Sequence, residues 1–175
     1  GIPMWVADMD FRPPACVQKA VENMSKHGVY GYYGDDASYR EAIQWWMENR
    51  HSWVINPDWI FSTHGLVNGA ALCIETFSNP GDSVVLFTPM YHSFFRVIKS
   101  ANREILECPL ANNNGRYEFD FFSYDNLMTG KDRIVILSSP HNPGGRVWSK
   151  KELQQVESHL MELKLEYSEK LQLIT

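Results

Sequence analysis

The chain has 175 residues, a formal net charge of −5 and 44% apolar content, enough to bury a core and too apolar for a disordered segment. Mild acidity without clustered Lys and Arg argues against nucleic acid as a partner, because phosphate backbones are held by grouped cations. No apolar run nears the roughly 20 residues of a membrane span. The first residues lack a signal peptide's charged start and apolar stretch. Cys16, Cys73 and Cys108 are an odd, scattered set in apolar contexts. They read as buried thiols of a reducing compartment, and a cytoplasmic protein is expected.

In chain order, residues 5–12 form an irregular entry. Pro13 and Pro14 open a helix with Val17, Ala20, Val21 and Met24 on one face and Gly28 as its stop. The loop 28–34 carries Tyr30, Tyr32 and Tyr33 and reads either as a surface turn with aromatic anchors or as a functional loop. A second helix is expected over 38–50, started by a Ser38–Glu41 capping box, followed by a short strand over 59–62. The turn 63–67 then precedes a helix over 68–77. Free amides and the helix dipole at such a turn suit a phosphate, although many strand-to-helix turns look alike. His64 reads as a loop residue.

Residues 83–87 form a buried apolar strand ending at Thr88-Pro89-Met90-Tyr91. The Tyr91 ring could stack on a flat heteroaromatic ligand or serve as a core residue at a helix start. The next helix presents Phe94, Phe95, Val97 and Ile98. A strand over 104–109, a turn at 112–115 and a helix over 124–129 follow. A second buried strand, 134–137, then breaks into Ser138-Ser139-Pro140-His141-Asn142-Pro143-Gly144-Gly145. Prolines and glycines so close together end any regular element. The stiff loop leaves a strand's C-terminal end, where ligands of open α/β sheets sit. Asn142 there is either a turn residue or a ligand contact. Ser149 and Glu152 fit a capping box for the last helix, and residues 159–175 keep near-helical spacing through Leu160, Leu163, Tyr167 and Leu171. Strands alternating with helices predict an α/β fold, a mainly parallel sheet flanked by helices.

The run Ser139-Pro140-His141-Asn142-Pro143-Gly144-Gly145 resembles the signature loop of fold-type I pyridoxal-phosphate enzymes, the class I/II aminotransferase family. Pro3-Met4-Trp5-Val6-Ala7-Asp8-Met9-Asp10-Phe11 is similar to the opening of its cystathionine β-lyase (MalY/PatB-like) branch. Gly28-Val29-Tyr30-Gly31-Tyr32 and Thr88-Pro89-Met90-Tyr91 resemble that branch's tyrosine motifs. The resemblance covers residues 3–153. It implies the large domain of a pyridoxal-phosphate-dependent transferase, here incomplete, with pyridoxal 5′-phosphate as cofactor. It implies that Gly65, Leu66 and Val67 hold the cofactor phosphate by their main chain. Tyr91 would lie on the pyridine, Asn142 would bond the phenolic oxygen, and Tyr32 would reach a neighbouring subunit's phosphate in a homodimer. It also implies a cis Asn142–Pro143 bond. The branch usually has a small polar residue where Gly65 stands.

The implied division is an arm, helix and interface loop over 1–34, part of the cofactor-binding domain over 35–158, and a divergent helical tail over 159–175. The family's aspartate for the pyridine nitrogen has no counterpart, since the last Asp is Asp132. None of Lys19, Lys26, Lys99, Lys131, Lys150, Lys151, Lys164 and Lys170 stands in the Ser-x-x-Lys setting of the Schiff-base lysine. No catalytic residue is therefore expected in these 175 residues, which read as an N-terminal portion inactive alone. The implied activity is carbon–sulfur β-elimination from a small amino acid such as a cysteine thioether. Transamination, or a non-catalytic truncated product, is the alternative.

Overall fold

The computed structural model describes residue 1 and residues 10–32, 34–167 and 172–174, with backbone alone for 164–167. Residues 3–9 of the opening motif, Tyr33 and Leu171 lie outside the described residues. The chain divides into two compact units, 1–61 and 62–175.

In the first unit, α1 (Ala15–His27) follows the two prolines and stops at Gly28, whose φ of 71° is left-handed and whose N–H reaches the Met24 carbonyl. No α1 residue is buried. Cys16 is exposed and Cys73 half-buried, so the expectation of three buried thiols holds for Cys108 alone. Helix α2 (Ala37–His51) begins one residue before its expected start. That places Ser38 inside the first turn, and the expected Ser38–Glu41 box does not form. Asp35 takes the Ala37 amide at 2.9 Å instead, and Asp36 pairs with Arg40 Nε at 2.7 Å.

The expected strand at 59–62 is also absent. Asn56 accepts the Asp58 amide and Pro57 sits at the first position of a 3-10 turn, Pro57–Trp59. Arg40 Nη1 donates to the carbonyls of Pro57 and Ile60 at 2.7 and 2.8 Å, occupying acceptors that strand pairing would use.

The second unit runs α3 (Leu66–Phe77), β1 (Ser83–Thr88), α4 (His92–Ser100), β2 (Glu104–Pro109), β3 (Ala111–Asn113), β4 (Arg116–Glu118), α5 (Phe121–Asp125), β5 (Asp132–Ile136), α6 (Lys150–Tyr167) and β6 (Gln172–Ile174). Strands β2-β1-β5-β6 form one parallel sheet in that order, while β3 and β4 make a small antiparallel hairpin. The alternation along the strands assigns the two faces. Val84, Leu86, Ile134 and Ile136 pack with Ala70 and Ile74 of α3 and Phe94 and Ile98 of α4. Val85, Phe87, Val135 and Leu137 pack with Tyr124 of α5, Trp148, and Val156, Leu160 and Leu163 of α6. Burial on both faces is why the central strands read as unbroken apolar runs. Each such side chain contributes about 1.5–3 kcal/mol.

Two side-chain devices fix the helix ends. The buried Arg103 donates to the Ser78 hydroxyl at 3.0 Å, the Ser78 carbonyl at 2.6 Å and the Ala101 carbonyl, closing the C-terminal ends of α3 and α4. The Ser149–Glu152 capping box forms as expected: the Ser149 amide reaches Glu152 Oε2 at 2.7 Å, and the Glu152 amide reaches Ser149 Oγ at 3.3 Å.

The tail differs from expectation. Helix α6 ends at Tyr167, and residues 172–174 are strand, paired in parallel with β5 and bonded through Leu137 N–H to the Ile174 carbonyl at 2.8 Å. Helical spacing continued through this stretch, but three residues are recruited by the free edge of β5.

Candidate functional site

From β1 the chain crosses by α4 to β2 on one side, and from β5 by α6 to β6 on the other. Helix α4 lies on one face and α6 on the opposite face. The turns after β1 and β5 therefore diverge, and the strand order reverses between them. That is the topological switch point, where open α/β sheets leave a ligand crevice outside the strand C-termini. Tyr91 follows β1 and Asn142 follows β5, so two of the expected contacts flank this crevice.

Tyr91 is the residue before α4, half-buried, with its ring edge-on to His92 at 4.8 Å and to Phe94 at 5.7 Å. The packing fixes the ring's tilt. Asn142 is exposed on a loop whose backbone is closed by two bonds: His141 N–H to the Arg146 carbonyl at 2.7 Å, and Gly145 N–H to the His141 carbonyl at 2.6 Å. Thr88–Pro89, Ser139–Pro140 and Asn142–Pro143 are cis, the last as expected.

Gly65 precedes α3, which starts two residues earlier than expected and so takes Leu66 and Val67 into its first turn. Gly65 has φ 90° and ψ 159°, a region essentially closed to other residues. Glycine thus stands here for backbone reasons, and no side-chain bond to a ligand is available from this position. The first helical bond runs from Gly69 N–H to the Gly65 carbonyl at 3.1 Å. The amides of Leu66, Val67 and Asn68 have no partner among the described residues. A helix start with free amides carries partial positive charge and suits a phosphate. Its direction is set by connection: the C-terminal end of α3 leads by a short turn into the start of β1. At about 1.5 Å per residue the helix spans a length similar to the strand, which brings Gly65 to the crevice end of the sheet.

Tyr32 belongs to the first unit and is fully exposed. Asp132 lies at the start of β5, the far end from the crevice, where it accepts the Thr129 amide at 2.8 Å. Cys108 is buried, and burial followed by the Asp132 charge pushes its thiol up to about 12, so it stays protonated and unreactive. A surface depression lined by Phe121 and by α6 residues including Lys151, Gln155 and His159 touches none of the expected contacts.

Three residues around the Asn142 loop were not singled out as site residues in the sequence. His141 is 1% exposed, with Nε2 2.7 Å from the Pro89 carbonyl oxygen. Arg146 bonds the Tyr117 carbonyl at 2.9 Å, pairs with Glu152, and lies over the Trp148 ring at 4.7 Å. Trp148 donates its indole N–H to the Ser138 carbonyl at 2.9 Å. The signal available was their position immediately beside Asn142. A stretch rich in Pro and Gly reads as solvent-exposed, which concealed a buried imidazole.

Fold and crevice together define a doubly wound parallel α/β sheet with its ligand end at the β1–β5 switch point. A profile described as Aminotransferase class I and II matches residues 4–165, and the chain belongs to that family. Cystathionine beta-lyase PatB of Bacillus subtilis (strain 168) is 38% identical over 154 residues, covering 87% of this chain and 40% of that protein. Protein MalY of Escherichia coli (strain K12) is 27% identical over 156 residues, again 87% and 40%. The crystal structure of cystalysin from Treponema denticola, which contains a pyridoxal 5′-phosphate cofactor, superposes with a TM-score of 0.87 at 36% identity. It covers 98% of this chain and 42% of that one. The chain thus spans about two-fifths of the length of these relatives.

Proposed function

We propose that this chain forms part of a pyridoxal 5′-phosphate-dependent carbon–sulfur β-lyase. Its substrate would be a small amino acid such as a cysteine thioether, cleaved with uptake of water to a thiol, pyruvate and ammonia. The observation that carries this reading is the crevice between β1 and β5, flanked by Tyr91 and Asn142 and approached by three unpartnered amides at the start of α3. The lyase names of PatB and cystalysin's bound cofactor support it.

In this reading the Leu66 and Val67 amides, with Gly65 shaping the turn, hold the cofactor phosphate. The Tyr91 ring covers one face of the pyridine, gaining roughly 0.5–1.5 kcal/mol beyond area burial. The Asn142 side-chain amide donates to the phenolic oxygen and fixes the ring's rotation. Tyr32 donates to the phosphate of a neighbouring subunit, which makes the protein a homodimer. Mild acidity without clustered cations and the absence, among the described residues, of a helix long and apolar enough to cross a membrane support a cytoplasmic protein without nucleic acid or membrane partners. When bound, the cofactor supplies the electron sink that acidifies the substrate's α-proton. The described residues fit its phosphate and phenolic ends. They offer no partner for the pyridine nitrogen and no lysine in the crevice setting, so proton transfer at the substrate is not assigned to them. The division into an arm over 1–34, a cofactor-domain portion over 35–158 and a tail over 159–175 belongs to the same proposal.

The test is the complete protein, titrated with pyridoxal 5′-phosphate by visible absorbance and then given cystathionine. Pyruvate release supports the lyase reading. Keto-acid formation from an amino donor without pyruvate makes it an aminotransferase, and absence of cofactor binding refutes both.

A further inference from the structure

We propose that His141 is a positioning residue: its imidazole latches the turn that carries Tyr91 to the loop that carries Asn142 and so sets the width of the crevice. Only the identity of what Tyr91 and Asn142 hold rests on the cofactor reading above; the latch itself rests on geometry.

Pairing between β1 and β5 ends at Leu86 and Ile136. Beyond it the two segments diverge toward opposite faces, and no strand ladder holds them together. Among the described residues they are joined by the His141 Nε2–Pro89 carbonyl bond at 2.7 Å and by a weak Ser138 Oγ–Met90 Sδ contact at 3.5 Å. A single hydrogen bond thus ties the two contacts together: Tyr91 lies two residues after its acceptor, Pro89, and Asn142 directly follows its donor, His141.

The ring is held in place from every side that the structure shows. The His141 backbone is closed by the Arg146 carbonyl and the Gly145 amide. The Trp148 ring stands edge-on at 5.7 Å. Gly144 forms the remaining wall: a Cβ there would come 3.1 Å from His141 Cδ2 and 3.0 Å from Tyr117 Cδ2, closer than such contacts allow without displacement. Since a carbonyl can only accept, Nε2 carries the proton. Nδ1 is buried without a partner among the described residues, which fits a neutral ring. Burial also pushes the pKa down, against an upward pull from the Pro89 carbonyl. A histidine present only to fill space would need no bond at Nε2, and a leucine would replace it.

Two variants separate these roles in the complete protein without cofactor. His141→Leu keeps the bulk and removes the donor, whereas His141→Gln returns an N–H at the reach of Nε2. Hydrogen exchange followed by peptide mass spectrometry should show residues 90–92 and 141–146 exchanging about fivefold faster in His141→Leu. That corresponds to roughly 1 kcal/mol for one neutral hydrogen bond. His141→Gln should stay within about twofold of wild type, and residues 84–87 should be unchanged in both. Equal exchange in wild type and His141→Leu, or equal acceleration in both variants, overturns the latch. Nitrogen-15 NMR of the wild type decides independently of either variant's folding: the Nε2–H tautomer is expected, and an Nδ1–H or charged ring overturns the proposal. Cofactor titration of the same samples tests the other reading separately. Failure of wild type to bind pyridoxal 5′-phosphate would refute the cofactor assignment while the exchange result still decides the latch.

Discussion

Gly65→Ala is the sharpest perturbation of the proposed phosphate cradle. An added Cβ would meet nothing within 4 Å, so the substitution introduces no clash. The φ of 90° and ψ of 159° are the whole difficulty, and holding alanine there costs about 1–3 kcal/mol. The loop can retain its geometry and lose that much stability. Otherwise it can rotate toward a region alanine tolerates, which tilts the Leu66 and Val67 amides away from the crevice. Losing one charge-assisted bond to a phosphate amounts to about 1.5–3 kcal/mol, roughly a 10- to 150-fold weaker affinity. Gly81→Ala is the matched control: φ is 87° and open space again surrounds the added Cβ, but Gly81 sits in the turn before β1, at the opposite end of the sheet. Both variants of the complete protein should show lower stability in urea unfolding. Only Gly65→Ala should bind pyridoxal 5′-phosphate more weakly and lose competition by inorganic phosphate. Unchanged cofactor affinity in Gly65→Ala without a stability loss of that size, or an equal loss of affinity in Gly81→Ala, would refute the assignment of these amides to the phosphate.

Tyr32→Phe should weaken cofactor binding by about 1.5–3 kcal/mol, one charge-assisted hydrogen bond; equal affinity in a dimer verified by sedimentation would leave Tyr32 a structural residue. Glu152 titrates below its ordinary range: burial alone would raise its pKa, but the Ser149 amide and hydroxyl and the Arg146 and Arg116 charges outweigh it. A depressed carboxylate contributes stability above the unfolded-state pKa and loses it as pH falls through the folded one. The stability difference between wild type and Glu152→Gln, which retains capping ability, should therefore shrink on acidification below the ordinary carboxylate range; a difference flat from neutral to acid would contradict this. The 175-residue chain mixed with pyridoxal 5′-phosphate and reduced with borohydride should give no single stoichiometric lysyl adduct, and one mapped by mass spectrometry would show that a lysine here does enter the crevice.

What could be read from the sequence was whatever local chemistry decides. β2 was expected over its observed bounds, and β1, an apolar run bounded by turn residues, ends one residue later than expected. The Gly28 stop and the Ser149–Glu152 box are settled within one helical turn. Partners distant in sequence decided the rest. The Trp59 segment yields to Arg40, whose guanidinium claims its carbonyls. β6 exists through β5, and no three-residue pattern outweighs helical spacing on its own. At the site, Tyr91 and Asn142 were visible because each follows a buried strand. The latch between them was not, since it joins His141 to a carbonyl that carries no sequence identity.

The strand order has a consequence for the chain as it is synthesised. β1 lies inside the sheet, between β2 and β5, so neither of its edges can be paired when it leaves the ribosome. β2 follows soon after, but the segment from Pro89 to Lys131 must be translated before β5 appears. At about 5–20 residues per second that takes several seconds. For that interval the run Val84-Val85-Leu86-Phe87, buried on both faces when folded, keeps an open edge with uncharged, β-prone side chains, the composition that favours strand-to-strand aggregation. Slowed translation between Pro89 and Lys131 should therefore reduce soluble yield, and a nascent-chain chaperone that shelters Val84 to Phe87 should restore it.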